Sequence, residues 1–522
     1  MIWRNQDIFR GSFGLKKLIA GWLFFVVVSG VSIVNAAKSE DTGSGFISAG
    51  MTDPAVQQLA NEIAGTRWIK AFGYDWDHFE PDPPVKGNHL YTWEKMDQLV
   101  KKIQASTSED LKVVIVIHPM CKWASNPGEF SRIESLLKKA VKPKLPPLPE
   151  NIVHWQTFIE HLLERYDFDG IEDMPGLKRS FNYWQIGNEY ANGNFWKGTA
   201  EQYVEVLKAA YQAKKNANPG AKIIITGLIH LDAVARYDEK RFEDIPLRQR
   251  PLSYVKHNAG FSKKILQGPE YFDIVDFHVF THFRYNPLGI QDSVKWLRNI
   301  LGDDFNRKTI AVTEWTSAMT WFDYPDKKTL NNYLKQGETL FKGSGAGYDK
   351  INSAFEAEQA RDTVKVWTTM LAQGVSFNIY VQIRDFSEFK NKLWDKYGLL
   401  RAKNRSDRSL QPKPAYYTLK LLAGMIDGFD SVETLSLPPD FFGYKFNNKG
   451  KAIFVLWKEG APGPLDVRQL NLSSGLVSLV HIITDQDQTV PEREKIELGR
   501  TVRQLPLTDT PVIITGIYGT GE

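Results

Sequence analysis

Short apolar runs alternate with longer segments of helical periodicity through most of the chain. The helical segments include 200–217 and 356–372, where apolar residues recur every three or four positions. The strand-like runs are Gly45–Ala49, Thr66–Gly73, Lys112–Ile117, Phe181–Gly187, Lys222–Gly227, Phe272–Phe280, Lys308–Glu314 and Val375–Gln382. Eight strands that alternate with helices predict an α/β fold, a (β/α)8 or TIM barrel over residues 45–428. A doubly wound sheet would alternate in the same way, but no glycine-rich phosphate loop follows the first strand.

The pattern changes to a period of two after Met425. Strand-like runs there include Ala452–Trp457, Val477–Ile483 and Pro511–Thr515, separated by turn-forming residues. Short alternating strands of this kind predict a C-terminal antiparallel β-sandwich over residues 429–522.

The N-terminal segment has the composition of a targeting sequence. Lys16-Lys17 precedes the apolar run Leu18–Val34, and the small residues Ala36-Ala37 follow it. We interpret residues 1–37 as a signal peptide or a membrane anchor, with cleavage favoured, and residues 38–44 as a polar linker. Both interpretations predict export to the periplasm, the cell surface or the membrane.

Charge and cysteine content narrow the possible partners. The chain carries a formal charge of +4, and its first 36 residues hold four basic and one acidic residue, which leaves +1 on the remainder. That balance argues against nucleic acid or an anionic membrane surface as a partner. The single cysteine, Cys121, excludes an internal disulfide and argues against structural zinc. We expect a monomer that uses no metal and no cofactor, with membrane contact only through the N-terminal segment.

Two glutamates come at the ends of predicted barrel strands. Asn188-Glu189 ends the fourth strand, and Thr313-Glu314 ends the seventh. Because the carboxyl ends of barrel strands converge, these two side chains can face each other. Hydrolysis of a glycosidic bond by double displacement needs such a pair, one carboxyl to protonate the leaving oxygen and one to attack the anomeric carbon. Glutamates are common in surface loops, but the placement of both at strand ends favours catalysis.

Five motifs lie along the barrel and its C-terminal edge. They are Trp184-Gln-Ile-Gly-Asn-Glu189-Tyr, Val312-Thr-Glu314-Trp, Glu80-Pro81 with Tyr91-Thr-Trp93, Pro119 with Trp123-Ala-Ser125, and Gln411-Pro-Lys-Pro-Ala-Tyr-Tyr417. Together they resemble clan A of the glycoside hydrolases, most closely the group of β-xylosidases, α-iduronidases and bacterial exopolysaccharide glycosidases. The resemblance extends from Gly45 to the C-terminus.

The resemblance implies roles for individual residues. It makes Glu189 the acid/base and Glu314 the nucleophile of a retaining glycosidase, with Asn188 at the sugar 2-hydroxyl. His278 matches a histidine near the nucleophile, with a hydrogen-bonded core imidazole as the alternative. Tyr380 falls on the eighth strand, where the family places an aromatic residue that contacts substrate.

Two positions depart from the family pattern, and two tryptophans are further candidates. Lys70 stands where many relatives have arginine, and since lysine lacks the planar fork, the contacts to substrate there must differ. Phe280 replaces a common tyrosine and removes its hydroxyl. Trp123 and Trp315 fall in predicted face loops, where they either stack on sugars or brace the loops.

The preferred function is retaining hydrolysis of an extracellular or cell-envelope polysaccharide. The alternatives are a non-catalytic glycan-binding protein of a polysaccharide export system and a transglycosylase. The basic residues between Arg236 and Lys256 favour a solvated loop over an acidic-glycan site, because acidic residues alternate with them. Cleavage within a chain is preferred over cleavage from its end because of aromatic residues after the seventh strand, namely Trp321, Phe322, Tyr324, Tyr333 and Phe341.

We predict that the N-terminal segment directs export, because a basic flank, an apolar run and small residues follow one another. A reporter that is active only outside the cytoplasm, fused after Lys38, should be active in cells. A matched fusion with Leu18–Val34 deleted should be inactive. A reporter that stays in the cytoplasm with the full segment would contradict the prediction.

Overall fold

A closed barrel of eight parallel strands forms the larger part of the protein. The computed structural model describes residues 33–35, 43–47, 66–106, 111–136, 143–241, 252–281, 283–284, 286–317, 327–342, 347–385, 396–402, 411–470, 475–499 and 502–518. After the short strand β1 (Ile33–Asn35), the barrel strands are β2 (Gly43–Ile47), β3 (Thr66–Asp75), β4 (Lys112–His118), β5 (Tyr183–Ile186), β6 (Lys222–Ile224), β7 (Ile274–Phe280), β8 (Thr309–Thr316) and β9 (Phe377–Tyr380). The predicted (β/α)8 barrel is confirmed. Its first strand begins at Gly43, within the segment predicted as a linker.

Helices cover the outside of the barrel and shield the outward side chains of its strands. The helices are α1 (Glu94–Ser106), α2 (Pro127–Leu136), α3 (Ile152–Arg165), α4 (Ala200–Ala217), α5 (Leu231–Asp238), α6 (Leu252–Leu266), α7 (Gly289–Leu301), α8 (Lys327–Lys342), α9 (Tyr348–Ala372) and α10 (Pro414–Ile426). Local sequence fixes some of their ends. At the start of α4 the Gln202 backbone amide donates to Thr199 Oγ1, and the Thr199 backbone amide donates to Gln202 Oε1, which is a capping box.

An apolar layer fills the lower part of the barrel interior. Trp68 stacks on Phe377 with ring centroids 3.8 Å apart, and smaller side chains from the other strands complete the layer. Those side chains are Val114, Ile224, Ile274, Ala311 and Ile379. Side chains alternate between the two faces of a strand, so residues two and four positions after Trp68 also point into the barrel, nearer its C-terminal end. The apolar layer is therefore the floor on which polar interior residues stand.

The C-terminal domain is an antiparallel sheet of seven strands with a two-stranded ribbon on one face. After the short pair β10 (Leu400–Arg401) and β11 (Gln411–Pro412), its strands are β12 (Ser431–Thr434), β13 (Phe441–Asn448), β14 (Lys451–Lys458), β15 (Gly463–Asp466), β16 (Gly475–His481), β17 (Arg493–Leu498), β18 (Gln504–Leu507) and β19 (Val512–Tyr518). The ribbon pairs β15 with β18, and β1 pairs with β12 at the edge of the large sheet. The predicted antiparallel β-domain is confirmed.

Strand β14 is buried on both faces because the sheet lies between the barrel and the ribbon. Ile453, Val455 and Trp457 belong to the core shared with the barrel, whereas Phe454 and Leu456 pack under the ribbon. This double burial explains why the strand reads as an uninterrupted apolar run in the sequence.

Polar and aromatic contacts join the two domains. The Thr418 hydroxyl on α10 donates to the Ile483 carbonyl at 2.7 Å, and the Lys365 ammonium on α9 donates to Glu459 at 2.6 Å. Phe283 of the barrel domain meets Phe442 and the fully buried Trp457 of the C-terminal sheet edge to face, with centroids 5.2 and 5.3 Å apart.

The predicted targeting segment lies outside the described residues up to residue 32. None of the helices in the described part of the chain has the length and apolar character needed to span a bilayer. Residues Ile33–Asn35 form β1, so cleavage after Ala36 would remove the edge strand of the large sheet.

We predict that the barrel and the C-terminal domain unfold together, because the large sheet shares its core with the barrel. Trp457→Ala should lower the free energy of unfolding by about 3–5 kcal/mol, as the loss of a fully buried ring does elsewhere. Urea denaturation followed by fluorescence and by circular dichroism should give one coincident transition. Val490→Ala, at an exposed position, is the control and should change stability by less than about 0.5 kcal/mol. Two separate transitions would contradict shared unfolding.

Candidate active site

A polar layer lies directly above the apolar floor of the barrel. Lys70, Gln185, Asp276 and Thr313 come from four different strands, and each is fully buried. Each also follows an apolar interior residue of its own strand by two positions, as Lys70 follows Trp68. Strand alternation thus brings four polar side chains to one level of the interior.

Lys70 joins three strands through its ammonium group. The Nζ donates to Asn188 Oδ1 at 3.0 Å, to Thr313 Oγ1 at 2.9 Å and to Glu314 Oε1 at 2.9 Å. An ammonium has three protons, so these acceptors use all of them. A buried charge needs such compensation, because an unpaired one would cost several kcal/mol. Lys70 therefore holds the neighbouring polar side chains in place, and it has no proton left for a ligand.

A β-bulge on β8 turns two consecutive side chains into the barrel. Asp276 on β7 pairs with Ala311 on β8, and His278 pairs with Glu314. The chain therefore advances by two residues on β7 and by three on β8. The pairing of β8 with β9 shifts by the same one residue, between Val312 and Trp315. A bulge places two residues opposite one, so Thr313 and Glu314 both contact Lys70. The sequence predicted a glutamate at the end of this strand, and the bulge turns the side chain of that glutamate into the barrel.

The end of β5 bends sharply at Asn188-Glu189. Gly187 has φ +80°, and Glu189 has φ +52°, which is uncommon for a residue other than glycine. The ring of Tyr190 lies over Gly187, where a Cβ would come within 2.2 Å of it. The backbone amide of Tyr190 donates to Thr226 Oγ1 at 3.0 Å, which anchors the turn to the next strand. This turn carries the carboxyl of Glu189 to the barrel mouth.

His278 lies between the two glutamates. Its Nδ1 is 2.8 Å from Glu189 Oε1 and 3.8 Å from Glu314 Oε2. Gly227 makes room for the ring, since a Cβ there would lie 2.1 Å from Nε2. Burial opposes a charge on the imidazole, but three surrounding carboxylates outweigh burial and raise the pKa of His278 to about 10. These carboxylates belong to Glu314, Asp276 and Glu189.

Asp276, a member of the polar layer, is hydrogen-bonded to two other members of it. It is not among the site residues that the sequence predicted. It accepts hydrogen bonds from Gln185 Nε2 at 2.6 Å, from the Thr313 amide at 2.7 Å and from the Thr313 hydroxyl at 2.6 Å. Burial alone would raise the pKa of Asp276, but the imidazole of His278 and the ammonium of Lys70 lower it. The signal was present in the sequence, because Asp276 precedes His278 by two positions and so shares its face of the strand.

The carboxyls of Glu189 and Glu314 and the imidazole of His278 each offer an atom within 4.8 Å of the others. By spacing alone this group could hold a cation. A protonated imidazole has no lone pair for a metal, however, and the Lys70 ammonium already occupies Glu314. The charges of the cluster therefore favour proton transfer and carboxylate chemistry over metal binding.

The aromatic candidates lie in different surroundings. Trp315 and Tyr380 are both 1% exposed and belong to the outer core between strands and helices. Trp315 donates to Asn378, and the Tyr380 hydroxyl donates to the Tyr397 carbonyl. Trp123 is half-buried, and its Nε1 donates to the backbone carbonyl of Glu80. The structure does not bring Trp315 and Tyr380 to the polar layer, because their positions face outward on β8 and β9.

No protein-family model and no curated protein matches the chain. Solved structures do match over most of its length. A family 39 glycoside hydrolase from Bacteroides cellulosilyticus is similar with a TM-score of 0.57 and 15% identity, over 91% of this chain and 81% of that one. A monomeric β-xylosidase from Caulobacter crescentus is similar with a TM-score of 0.50 and 16% identity, over 92% of this chain and 97% of that one. The catalytic domain of a family 30 xylanase C from Talaromyces cellulolyticus is similar with a TM-score of 0.50 and 12% identity, over 93% of this chain and 98% of that one. These similarities confirm the fold.

We predict that Lys70→Met destabilises the protein in a pH-dependent way. The variant removes the ammonium that contacts Glu314 at 2.9 Å and leaves the imidazole of His278, 3.8 Å away, as its cationic neighbour, which should cost about 3–5 kcal/mol at pH 7. Protonation of that carboxyl removes the buried charge, so the deficit relative to wild type should shrink as the pH falls. Urea denaturation at several pH values measures it.

Lys101→Met is the control, because Lys101 is an exposed lysine on α1, away from the polar layer. Its effect should be small and independent of acidic pH. A Lys70→Met deficit that is constant between pH 5 and 8 would contradict the role given to this ammonium.

Proposed function

We propose that the protein is a retaining glycoside hydrolase that cleaves a polysaccharide through a glycosyl-enzyme intermediate. The observation that carries the proposal is the carboxyl pair of Glu189 and Glu314, with oxygens within 4.8 Å of each other at the C-terminal end of the barrel. Retaining glycosidases hold their carboxyls about 5–5.5 Å apart, whereas inverting enzymes need room for a water molecule between sugar and base. Similarity in fold to solved glycoside hydrolases supports the same reaction class.

The charges around the pair support a different role for each glutamate. Glu314 lies 2.9 Å from the Lys70 ammonium, an ion pair that holds its side chain in place and supports its role as the nucleophile. Three carboxyls, those of Asp276, Glu189 and Glu314, face two cations, Lys70 and protonated His278. One further proton makes the cluster neutral. Glu189 has the most exposed side chain of the three carboxyls, 15% against 10% for Glu314 and 0% for Asp276, which supports it as the group that exchanges a proton with the substrate.

The reaction then proceeds in two displacements. Glu189 gives its proton to the glycosidic oxygen as the bond to the anomeric carbon breaks, and a Glu314 oxygen forms a bond to that carbon. In the second step Glu189 removes a proton from water, the water oxygen attacks the anomeric carbon, and Glu314 leaves as a carboxylate. Asn188, fixed by Lys70, offers its side-chain amide protons to the sugar 2-hydroxyl. His278 keeps Glu189 oriented through the cycle.

We further propose a polysaccharide substrate that is cut within the chain. A β-xylosidase and a xylanase are among the similar structures, which supports a carbohydrate substrate. The aromatic residues on which internal cleavage rests lie after β8, and their side chains fall outside the described residues. These residues are Trp321, Phe322, Tyr324, Tyr333 and Phe341.

We also propose that the enzyme is exported and keeps its N-terminal segment. Because Ile33–Asn35 pairs with β12, retention of the N-terminal segment preserves the full sheet, and cleavage after Ala36 removes one edge strand. This pairing supports an enzyme held at the membrane over a freely secreted one.

The function is tested by incubating the protein with a panel of plant and bacterial polysaccharides and measuring new reducing ends. Nuclear magnetic resonance of the first products should show the substrate's anomeric configuration retained. A rapid fall in polymer length supports internal cleavage, and monosaccharide release with little change in length contradicts it. Mass spectrometry separates the alternatives, since a glycan-binding protein gives no new products and a transglycosylase gives lengthened chains.

We predict that Glu189→Gln and Glu314→Gln each lower kcat by about 10³-fold or more without unfolding the protein, because each removes a group that takes part in bond making. Glu205→Gln on the exposed face of α4 is the control and should leave kcat unchanged.

Azide distinguishes the two roles when the alanine variants act on an activated aryl glycoside. With Glu189→Ala, azide attacks the glycosyl-enzyme and gives a glycosyl azide of retained configuration. With Glu314→Ala, azide attacks the substrate directly and gives the inverted anomer. Near-normal activity in either glutamine variant, or the same anomer from both alanine variants, would contradict the assignment.

A further inference from the structure

One ring nitrogen of His278 faces two hydrogen-bond acceptors inside the barrel. Its Nε2 is 3.5 Å from Asp276 Oδ2 and 3.5 Å from Thr313 Oγ1. The Thr313 hydroxyl donates its only proton to Asp276 at 2.6 Å, and its oxygen accepts one from Lys70 at 2.9 Å. Neither neighbour has a proton to give to Nε2, so this nitrogen carries a proton of its own.

The other ring nitrogen faces two carboxyls. Nδ1 is 2.8 Å from Glu189 Oε1 and 3.8 Å from Glu314 Oε2. Carboxylate oxygens accept hydrogen bonds, so Nδ1 is a donor as well, and a ring that donates from both nitrogens is an imidazolium. The raised pKa of His278 agrees with this bonding pattern.

An imidazolium in contact with a carboxyl ordinarily favours its ionised form, because each charge stabilises the other. Glu189 would then have no proton for the glycosidic oxygen. The pairing of charges in the cluster removes this conflict. Lys70 pairs with Glu314, and the charge of His278 is opposed by the fully buried carboxyl of Asp276 on the same face of β7.

The surroundings of Asp276 keep its carboxyl ionised. Its Oδ1 accepts from the Thr313 amide, and its Oδ2 accepts from Gln185 Nε2 and from the Thr313 hydroxyl. Burial would raise the pKa of Asp276, but His278 and Lys70 lower it. A carboxylate that accepts three short hydrogen bonds is a fixed negative charge in the layer.

We propose that Asp276 is a positioning residue that keeps the transferable proton on Glu189. Acting through His278, it balances the imidazolium, so the ring orients the Glu189 carboxyl without ionising it. The inference rests on the proposed function and deepens it. When Glu189 gives its proton to the leaving oxygen, the new carboxylate lies against the Nδ1 proton of His278, which stabilises it until Glu189 takes a proton from water.

The test is the pH dependence of kcat/KM on whichever of xylan, mannan, β-glucan and polygalacturonate the wild type cleaves. Asp276→Asn removes a negative charge, so Glu189 and His278 together should lose their first proton more readily. The alkaline limb of the profile should move to lower pH by about one unit. His278→Gln removes a positive charge and should move that limb to higher pH. The double variant restores the balance, and its limb should lie near that of the wild type.

An aryl glycoside with an activated phenol separates this role from support of Glu314. Departure of such a phenolate needs no proton, so Asp276→Asn should lower kcat/KM at neutral pH about tenfold on the polymer and less than about threefold on the aryl glycoside. Asp273→Asn is the matched control, because it makes the same change of charge just before β7, where Asp273 pairs with Lys214. It should lower thermal stability and leave the pH profile unchanged.

Nuclear magnetic resonance of protein labelled with ¹⁵N-histidine tests the charge of the ring without any substrate. At about pH 8, above the ordinary imidazole pKa of about 6.5, both nitrogens of His278 should be protonated in the wild type. Loss of the signal in His278→Gln assigns it. This spectrum and the His278→Gln profile test the inference even if Asp276→Asn does not fold, which circular dichroism establishes.

The outcomes separate this inference from the proposed function. An alkaline limb that stays in place or moves to higher pH in folded Asp276→Asn, or an unprotonated His278 nitrogen in the wild type, would overturn the inference alone. A wild-type protein that cleaves neither polymer nor aryl glycoside would overturn both. Opposite shifts in the two single variants, with the double variant near wild type, support it, since a purely structural role would not produce them.

Discussion

The buried ammonium of Lys70 is the constraint on which the rest of the site depends. A lysine with no exposed surface must find an acceptor for every proton, and here the acceptors are Asn188, Thr313 and Glu314. They come from the fourth and seventh barrel strands, so one charge fixes the geometry of both. An arginine would offer five donors in a planar fork and could reach a ligand as well. The sequence prediction that Lys70 binds substrate is therefore better replaced by a positioning role.

The same layer explains why the site tolerates so many charges in a closed space. Each anion has a nearby cation or several donors, and Asp276 ties the β7 strand to the β8 bulge through Thr313. Lys70 and protonated His278 face three carboxyls, so the cluster is neutral when it holds the one proton that the proposed reaction transfers. Below it the apolar floor excludes water, so the electrostatic interactions are stronger than they would be in solvent.

Rings in this protein show that chemical type alone does not decide function. Trp315 and Tyr380 have the composition of sugar-binding residues, but their positions on β8 and β9 face the helices, where both are buried. Phe72 on β3 and Phe280 on β7 are placed by strand alternation on the interior face at the barrel mouth, beside Lys70 and His278. The direction of a strand residue, which depends on register and bulges, separates the two pairs.

The sequence by itself determined the architecture and the two glutamates, because hydrophobic periodicity and strand ends are local properties. Runs such as Lys112–Ile117 and helices such as Ala200–Ala217 follow directly from it, and the boundary at Gly43 was missed because glycine and serine conceal the start of a strand. Tertiary structure alone decided the bulge that turns Glu314 inward, the three acceptors of Lys70 and the outward direction of Trp315. These depend on the pairing of strands far apart in the chain, and a one-residue shift in that pairing reverses which face a side chain takes.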